Sequence, residues 1–497
     1  MGPLQNNFLK AFFERIQVKG GSLRIHIGKK DVAWSYLGNL LNIGANVLLL
    51  PVILRCLPQK ELGLWYTFAS IGGLVSLLDF GFSPTVQRNV TYVWGGVRQL
   101  LAEGLSAGER SENPNFLLLS TLMEASKRVY NRIALAVLGI LLIPGSFYIG
   151  YVTRDISSWA HWLSWGFYIV AVVLNVVYGR WGPFLSGIGA VKESQQIQIV
   201  SKVVYICLAA LLLFCGVGLF SIVLAFLVSG LVLRIMYRRT YERCIECEQK
   251  KCLGDVSGSS GSVDDVLSVI WVNARKLGVV FFGAFLINQA NTLVCSAGLG
   301  LEETAQYGLS QQIVSLMVMF SGIFFSAYQP ALAEANARHD VARLKHLLAI
   351  SMTVAWLCLA GGGVAVFFFG DDLLALLGTR TQLLPVIPLA LLIVFKALEQ
   401  NHSLFSTVIV LGNKVPFVSP AIFSGLAILV LSVASVKLTA LGVLGLVLAQ
   451  GVVQLLYNNW KWPALVMRDL HVSPFALARE GGRFLLARAC QAIARYV

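Results

Sequence analysis

Apolar residues run through this chain in long blocks separated by short polar connections. Stretches above about 18 residues can cross a hydrocarbon core of roughly 30 Å as helices rising 1.5 Å per residue. They fall near 32–55, 62–87, 129–152, 159–185, 195–214, 217–237, 271–299, 305–333, 347–369, 381–411, 415–436 and 439–460, which predicts twelve membrane spans. The first 31 residues are different: Lys10, Glu14 and Arg15 interrupt any apolar core and argue against a signal peptide. Phe8, Leu9, Phe12, Phe13 and Ile16 recur at helical spacing, as in a helix lying on a membrane surface.

The pattern repeats. "LDFGFSPTVQRNV" closes the second predicted span and "FFSAYQPALAEAN" the eighth, each with a proline near the end, Pro84 and Pro330. A shift of 245 residues places Asn46 on Asn291 and Gly63 on Gly308. "SGIGAVK" and "VIVLGNK" pair the turns after the fourth and tenth spans. "GDVSGSSGSVDD" has the composition of a flexible linker. The predicted organisation is a cytoplasmic segment 1–31, an N-lobe 32–253 of six spans, a linker 254–265, a C-lobe 266–460 of six spans and an amphipathic tail 461–497. Two parallel repeats of this kind form an all-α polytopic fold around a central cavity, the plan of a secondary transporter.

Composition agrees: 57% of residues are hydrophobic and 13% charged, far from the soluble average. Of the 39 Lys and Arg residues, 31 fall in the two terminal segments and in 88–132, Lys192, 234–276, 338–345 and Lys414. Those regions share one side, so both termini are expected in the cytoplasm. The net charge of +14 then reflects topology and contact with anionic lipids, and no nucleic-acid partner is expected. Trp34, Trp65, Trp159, Trp162, Trp271, Trp460 and Trp462 fall at span ends, where interfacial anchors belong. The nine scattered cysteines do not suggest a disulfide framework, and "CIECEQKKC" (Cys244, Cys247, Cys252) lacks a fourth nearby metal ligand. No resident cofactor is expected beyond a coupling proton or sodium ion.

The segment "GNLLNIGANVLLLPVILRCLPQKELGLWYTFASIGGLVSLLDFGFSPTVQR" resembles the opening spans of the O-antigen and polysaccharide flippases of the Wzx type. These belong to the superfamily that also contains the multidrug and toxic-compound extrusion proteins. The layout extends the resemblance over roughly residues 30 to 460, while the second half matches only in layout and in "AQYGLS" and "LGNK". The resemblance implies a non-enzyme that moves a polyprenyl-diphosphate-linked oligosaccharide across a bacterial inner membrane. Polysaccharide polymerase and chain-length proteins would be candidate partners.

Such a cargo needs fixed cations and amide donors away from lipid. Asn39, Asn42 and Asn46 share one helical face, and Asn288, Gln289, Asn291 and Thr292 offer a similar patch on the seventh span. Their alternative use is hydrogen bonding between helices. Arg180, Lys202 and Lys396 are the basic residues inside apolar runs, so they are the expected diphosphate ligands. Asp79 lies about 21 Å from Trp65 along its helix, a depth that Arg180 and Lys202 also reach. It is expected to orient the cations or to form a structural ion pair with them. Gly81, Pro84 and Pro330 are candidate hinges. Lys396 and Glu399 are spaced to pair on one helical face, with His402 nearby. A cation-coupled multidrug exporter is the competing reading, weakened by the lack of a carboxylate in the first and seventh spans. A membrane enzyme would need a catalytic region that the short outer connections do not supply.

Overall fold

A computed structural model of the protein describes residues 48–77, 82–100, 113–156, 159–251, 262–379, 381–411 and 416–493. The first 47 residues, with Asn39, Asn42 and Asn46, lie outside the described residues, as do Asp79, Gly81 and linker residues 254–261. No strand occurs among the described residues. In chain order the first helices are α1 (48–56), α2 (Gln59–Leu77), α3 (Phe82–Trp94), α4 (Phe116–Ile140), α5 (Ser146–Val152), α6 (Ala160–Val177), α7 (Trp181–Gly187), α8 (Val191–Phe214) and α9 (Leu219–Lys251). Then follow α10 (Val263–Asn288), α11 (Ala290–Gly298), α12 (Leu301–Ala337), α13 (Val341–Leu376), α14 (Val386–Leu411), α15 (Val418–Leu438), α16 (Val443–Leu456), α17 (Asn458–Asp469) and α18 (Pro474–Ile493).

Among the described residues, seven helical stretches are long and apolar enough to cross a membrane, as in a multi-pass membrane protein. They match the predicted spans at 129–152, 159–185, 195–214, 217–237, 305–333, 347–369 and 415–436. Two other predicted spans are divided between helices. The run 271–299 is divided at Gln289 between α10 and α11, and 439–460 is divided at Tyr457 between α16 and α17. The polar pairs Asn288–Gln289 and Asn458–Asn459 lie at these breaks. Pro144 sits in a π turn, Leu141–Gly145, between α4 and α5, the widening with which a helix accommodates a missing amide hydrogen. Pro84 is the third residue of α3 as described, the residues 78–81 before it lying outside the described residues, and α12 continues through Pro330 to Ala337.

The chain forms two compact units. One takes the residues up to Leu57 and Ile71–Phe281; the other takes Pro58–Ser70 and Phe282–Val497. In the first unit α9 packs along α6 and α8, while α3 crosses α7. Phe82, Val86, Val90, Leu122, Phe184 and Ile270 are buried together there. The crossing depends on Gly187, because a side chain at that position would meet Val90 and the Gln87 carbonyl. Thr91 Oγ1 fixes it by donating to the Gly187 carbonyl at 2.9 Å.

In the second unit α13 packs between α12 and α18, and α14 rests on α17. Leu477 of α18 is buried with Leu348, Met352 and Phe405. The tail is therefore part of the packed unit, pinned by His346 Nδ1 and Glu480 Oε1 at 2.8 Å. The first half of α2 also packs in this unit. Gly63 touches the Leu301 carbonyl, Gly308 faces the Tyr66 ring, and Tyr66 Oη donates to Gln312 Oε1 at 2.7 Å. The two glycines that the sequence repeat superimposes are thus both close-approach points of the same helix pair.

Candidate functional site: buried cations in each unit

In the first unit the sequence "VVYGRWGPF" breaks a long apolar helix in two. Pro183 cannot donate back to Gly179, so α6 stops at Val177 and α7 starts at Trp181, with Arg180 at the joint. Arg180 is 8% exposed. Its Nη1 donates to the Val177 carbonyl at 2.6 Å, capping the end of α6. Its guanidinium lies 5.9 Å from the Tyr178 ring centre and 5.4 Å from that of Trp181. Arg238 of α9 approaches the same indole at 5.8 Å. One turn earlier on α9, Arg234 reaches the Asn175 carbonyl at 3.5 Å.

The donors left over define the chemistry. Arg180 Nε, Trp181 Nε1 and Arg234 Nε are buried and have no hydrogen-bond partner among the described residues. An unmet buried donor costs about 1–3 kcal/mol, more when charged. Arg238 differs because its Nε pairs with Glu242 Oε1 at 2.7 Å in an exposed position. The cluster therefore offers cationic and indole N–H groups suited to an anionic ligand. Sequence reading missed Arg234 and Arg238, which it assigned to a basic cytoplasmic segment. Their spacing of four places them on one face of α9, which runs on to Lys251.

Lys202 of α8 is only partly buried and makes no ion pair among the described residues. No contact joins it to Arg180 among those residues.

In the second unit Lys396 of α14 is 8% exposed. Its Nζ donates to Glu399 Oε2 at 2.9 Å and to Asn288 Oδ1 at 3.0 Å. Gln450 of α16, not singled out from the sequence, donates to the same Glu399 oxygen at 3.2 Å. Asn288 is available because α10 ends there, just before the break at Gln289. Asn291 is used in packing: its amide reaches the Leu446 carbonyl at 3.3 Å and accepts from Ser432 Oγ at 2.7 Å. Thr292 is buried, while Gln289 Oε1 lies 3.4 Å from Ser70 Oγ. His402 faces Asn459 Oδ1 at 2.8 Å.

Neither a family model nor a curated protein matches this sequence. Solved structures do match. An outward-facing multidrug resistance MATE family transporter of the MOP superfamily aligns with a TM-score of 0.54 at 13% identity, over 90% of this chain and 98% of that one. An inward-facing MATE family transporter gives 0.56 at 16% identity, over 87% and 95%. The chain has a MATE-like fold. At such low identity the MATE likeness concerns the fold alone, and the buried cations remain features of this sequence.

Proposed function

We propose that the protein is a flippase that moves a polyprenyl-diphosphate-linked oligosaccharide across the bacterial inner membrane by alternating access. One observation carries the reading: among the described residues, the buried Arg and Lys side chains are Arg180 and Lys396, and no Asp or Glu is buried to the same degree. Burying a charge is costly unless it is paired or used. Arg180 keeps an unmet donor that a diphosphate oxygen would satisfy, and Arg234 adds a second guanidinium. The opening-span resemblance to Wzx-type flippases supports the same reading, and the MATE-like fold supports a membrane transporter of either kind.

Arg180 and Arg234 would hold the diphosphate, with Trp181 as a further donor, and Lys202 would assist as a point charge. Lys396 would receive the anion when it leaves Glu399, whose carboxylate is then free to bind a coupling proton or sodium ion. Asn288 orients Lys396. A cation-coupled multidrug exporter is the second reading, favoured by the likeness to multidrug resistance transporters. Expression in a strain unable to export lipid-linked sugar separates them. Restored surface glycan without drug efflux is expected; drug efflux without glycan would overturn the flippase reading.

A further inference from the structure

A cavity of about 530 Å³ opens in the first unit between α3, α4 and α10. Its volume lies in the range of roughly 300–1,000 Å³ that holds small molecules. Helical periodicity builds its walls. Val129, Arg132 and Ile133 share one face of α4, and Leu267 and Trp271, one turn apart, share one face of α10. Val266 and Ile270, one residue earlier in each case, turn into the core. The start of α10 is therefore anchored while its neighbouring face stays open. Phe82 closes the cavity, its ring 5.8 Å from that of Trp271.

The lining is apolar and aromatic except for Ser268 and one cation, Arg132. Arg132 is exposed and has no hydrogen bond or ion pair among the described residues. Arg128, one turn away, is by contrast paired with Glu124 at 2.8 Å. Trp271 is 51% exposed, as an interfacial tryptophan would be. Arg132 and Trp271 both stand where the distribution of basic residues puts the cytoplasmic edge of the membrane. An apolar cleft with one unpaired guanidinium at its rim matches an amphiphile with an anionic head.

We propose that this cavity seats an anionic phospholipid of the cytoplasmic leaflet. Its phosphate rests on Arg132, and an acyl chain lies between Ile133, Leu267 and Trp271. The assignment is independent of the cargo. Its physical basis is the attraction of one basic side chain for an anionic headgroup, sufficient to enrich such lipids about fivefold at the site.

The test uses the full chain in vesicles of phosphatidylcholine with a minor fraction of phosphatidylglycerol. Brominated acyl chains are carried by one lipid or the other, and the Trp271 fluorescence is obtained by difference from Trp271→Phe. Quenching by brominated phosphatidylglycerol is expected at about five times its mole share. Arg132→Gln should reduce that to the mole share, and Arg132→Lys should preserve it. Quenching in proportion to mole share in the wild type would overturn the proposal, as would an undiminished preference in a folded Arg132→Gln protein. Failure of both lipids to quench Trp271 would mean that protein, such as a second copy of this chain, covers the cleft. Loss of the preference on adding inorganic phosphate would mean a simple anion site. Either result rejects the lipid. Should Arg132→Gln not fold, the wild-type comparison decides alone.

Discussion

Lys396 Nζ and Glu399 Oε2 stand 2.9 Å apart on one face of α14, and Asn288 and Gln450 complete a hydrogen-bonded group around them. Removing one member strands the other. Lys396→Met should therefore destabilise the protein by about 3–5 kcal/mol, whereas Lys396→Met with Glu399→Leu should recover most of that. Thermal unfolding in detergent measures the stability. If the pair also serves transport, the stable double variant will still fail to export glycan; full export would leave the pair a purely structural role.

Arg180 both caps α6 and keeps a free donor, and the two uses can be separated. Arg180→Lys should retain part of the export activity, since a point cation still attracts phosphate although the bidentate fork is lost. Arg180→Ala should lose most of it at unchanged membrane insertion. Replacing Asp79 by Asn together with Arg180 by Gln tests the alternative of mutual neutralisation. Near-normal export in that double variant would exclude Arg180 as a diphosphate ligand.

Arg234 and Trp181 should behave as members of the same cluster. Arg234→Ala is expected to reduce export at least tenfold, the loss of about 1.4 kcal/mol or more in a charge-assisted contact. Trp181→Phe keeps an aromatic face for the guanidiniums but deletes the indole N–H. It should impair export without lowering the unfolding temperature. Unaltered export in both variants would remove the cluster from the cargo path.

The glycines of α2 and α12 give a stability prediction independent of function. Gly63→Ala would push a methyl group into the Leu301 carbonyl, and Gly308→Ala into the Tyr66 ring. Each should cost about 1–3 kcal/mol through overpacking. Gly361 of α13 has open space around its missing side chain. Gly361→Ala should therefore be neutral or stabilise by up to about 1 kcal/mol. Equal unfolding temperatures for all three variants would contradict the packing described.

Sidedness can be measured on a background lacking the nine native cysteines. A single cysteine near Glu302, exposed in the first turn of α12, should react with an impermeant thiol reagent in intact cells. One near Ser257 should not. The reverse pattern would overturn the orientation derived from basic residues.

Much of this was legible in the sequence for definite reasons. Arg180 and Lys396 stood out because an ionised side chain in a long apolar run has few cheap solutions. The spacing of three between Lys396 and Glu399 already put them on one face. Arg234 and Arg238 were hidden because they continue into a basic stretch, so their helix looked as though it had already left the membrane. Gln450 carried no local signal, since its role depends on α14, far away in sequence. The break at Gln289 was obscured because neither glycine nor proline marks it. The grouping of Pro58–Ser70 with residues beyond Phe282 is likewise a long-range property that no local pattern encodes.

That grouping has a consequence for biosynthesis. Gly63 leaves the ribosome long before Leu301, the residue it must touch, and at about 5–20 residues per second the delay is on the order of tens of seconds. Until then the Gly63–Tyr66 surface of α2 lacks its native partner. Lipid or an insertion chaperone must shield it during that interval. Truncated chains ending before α12 should therefore be degradation targets even if every earlier helix has already entered the membrane.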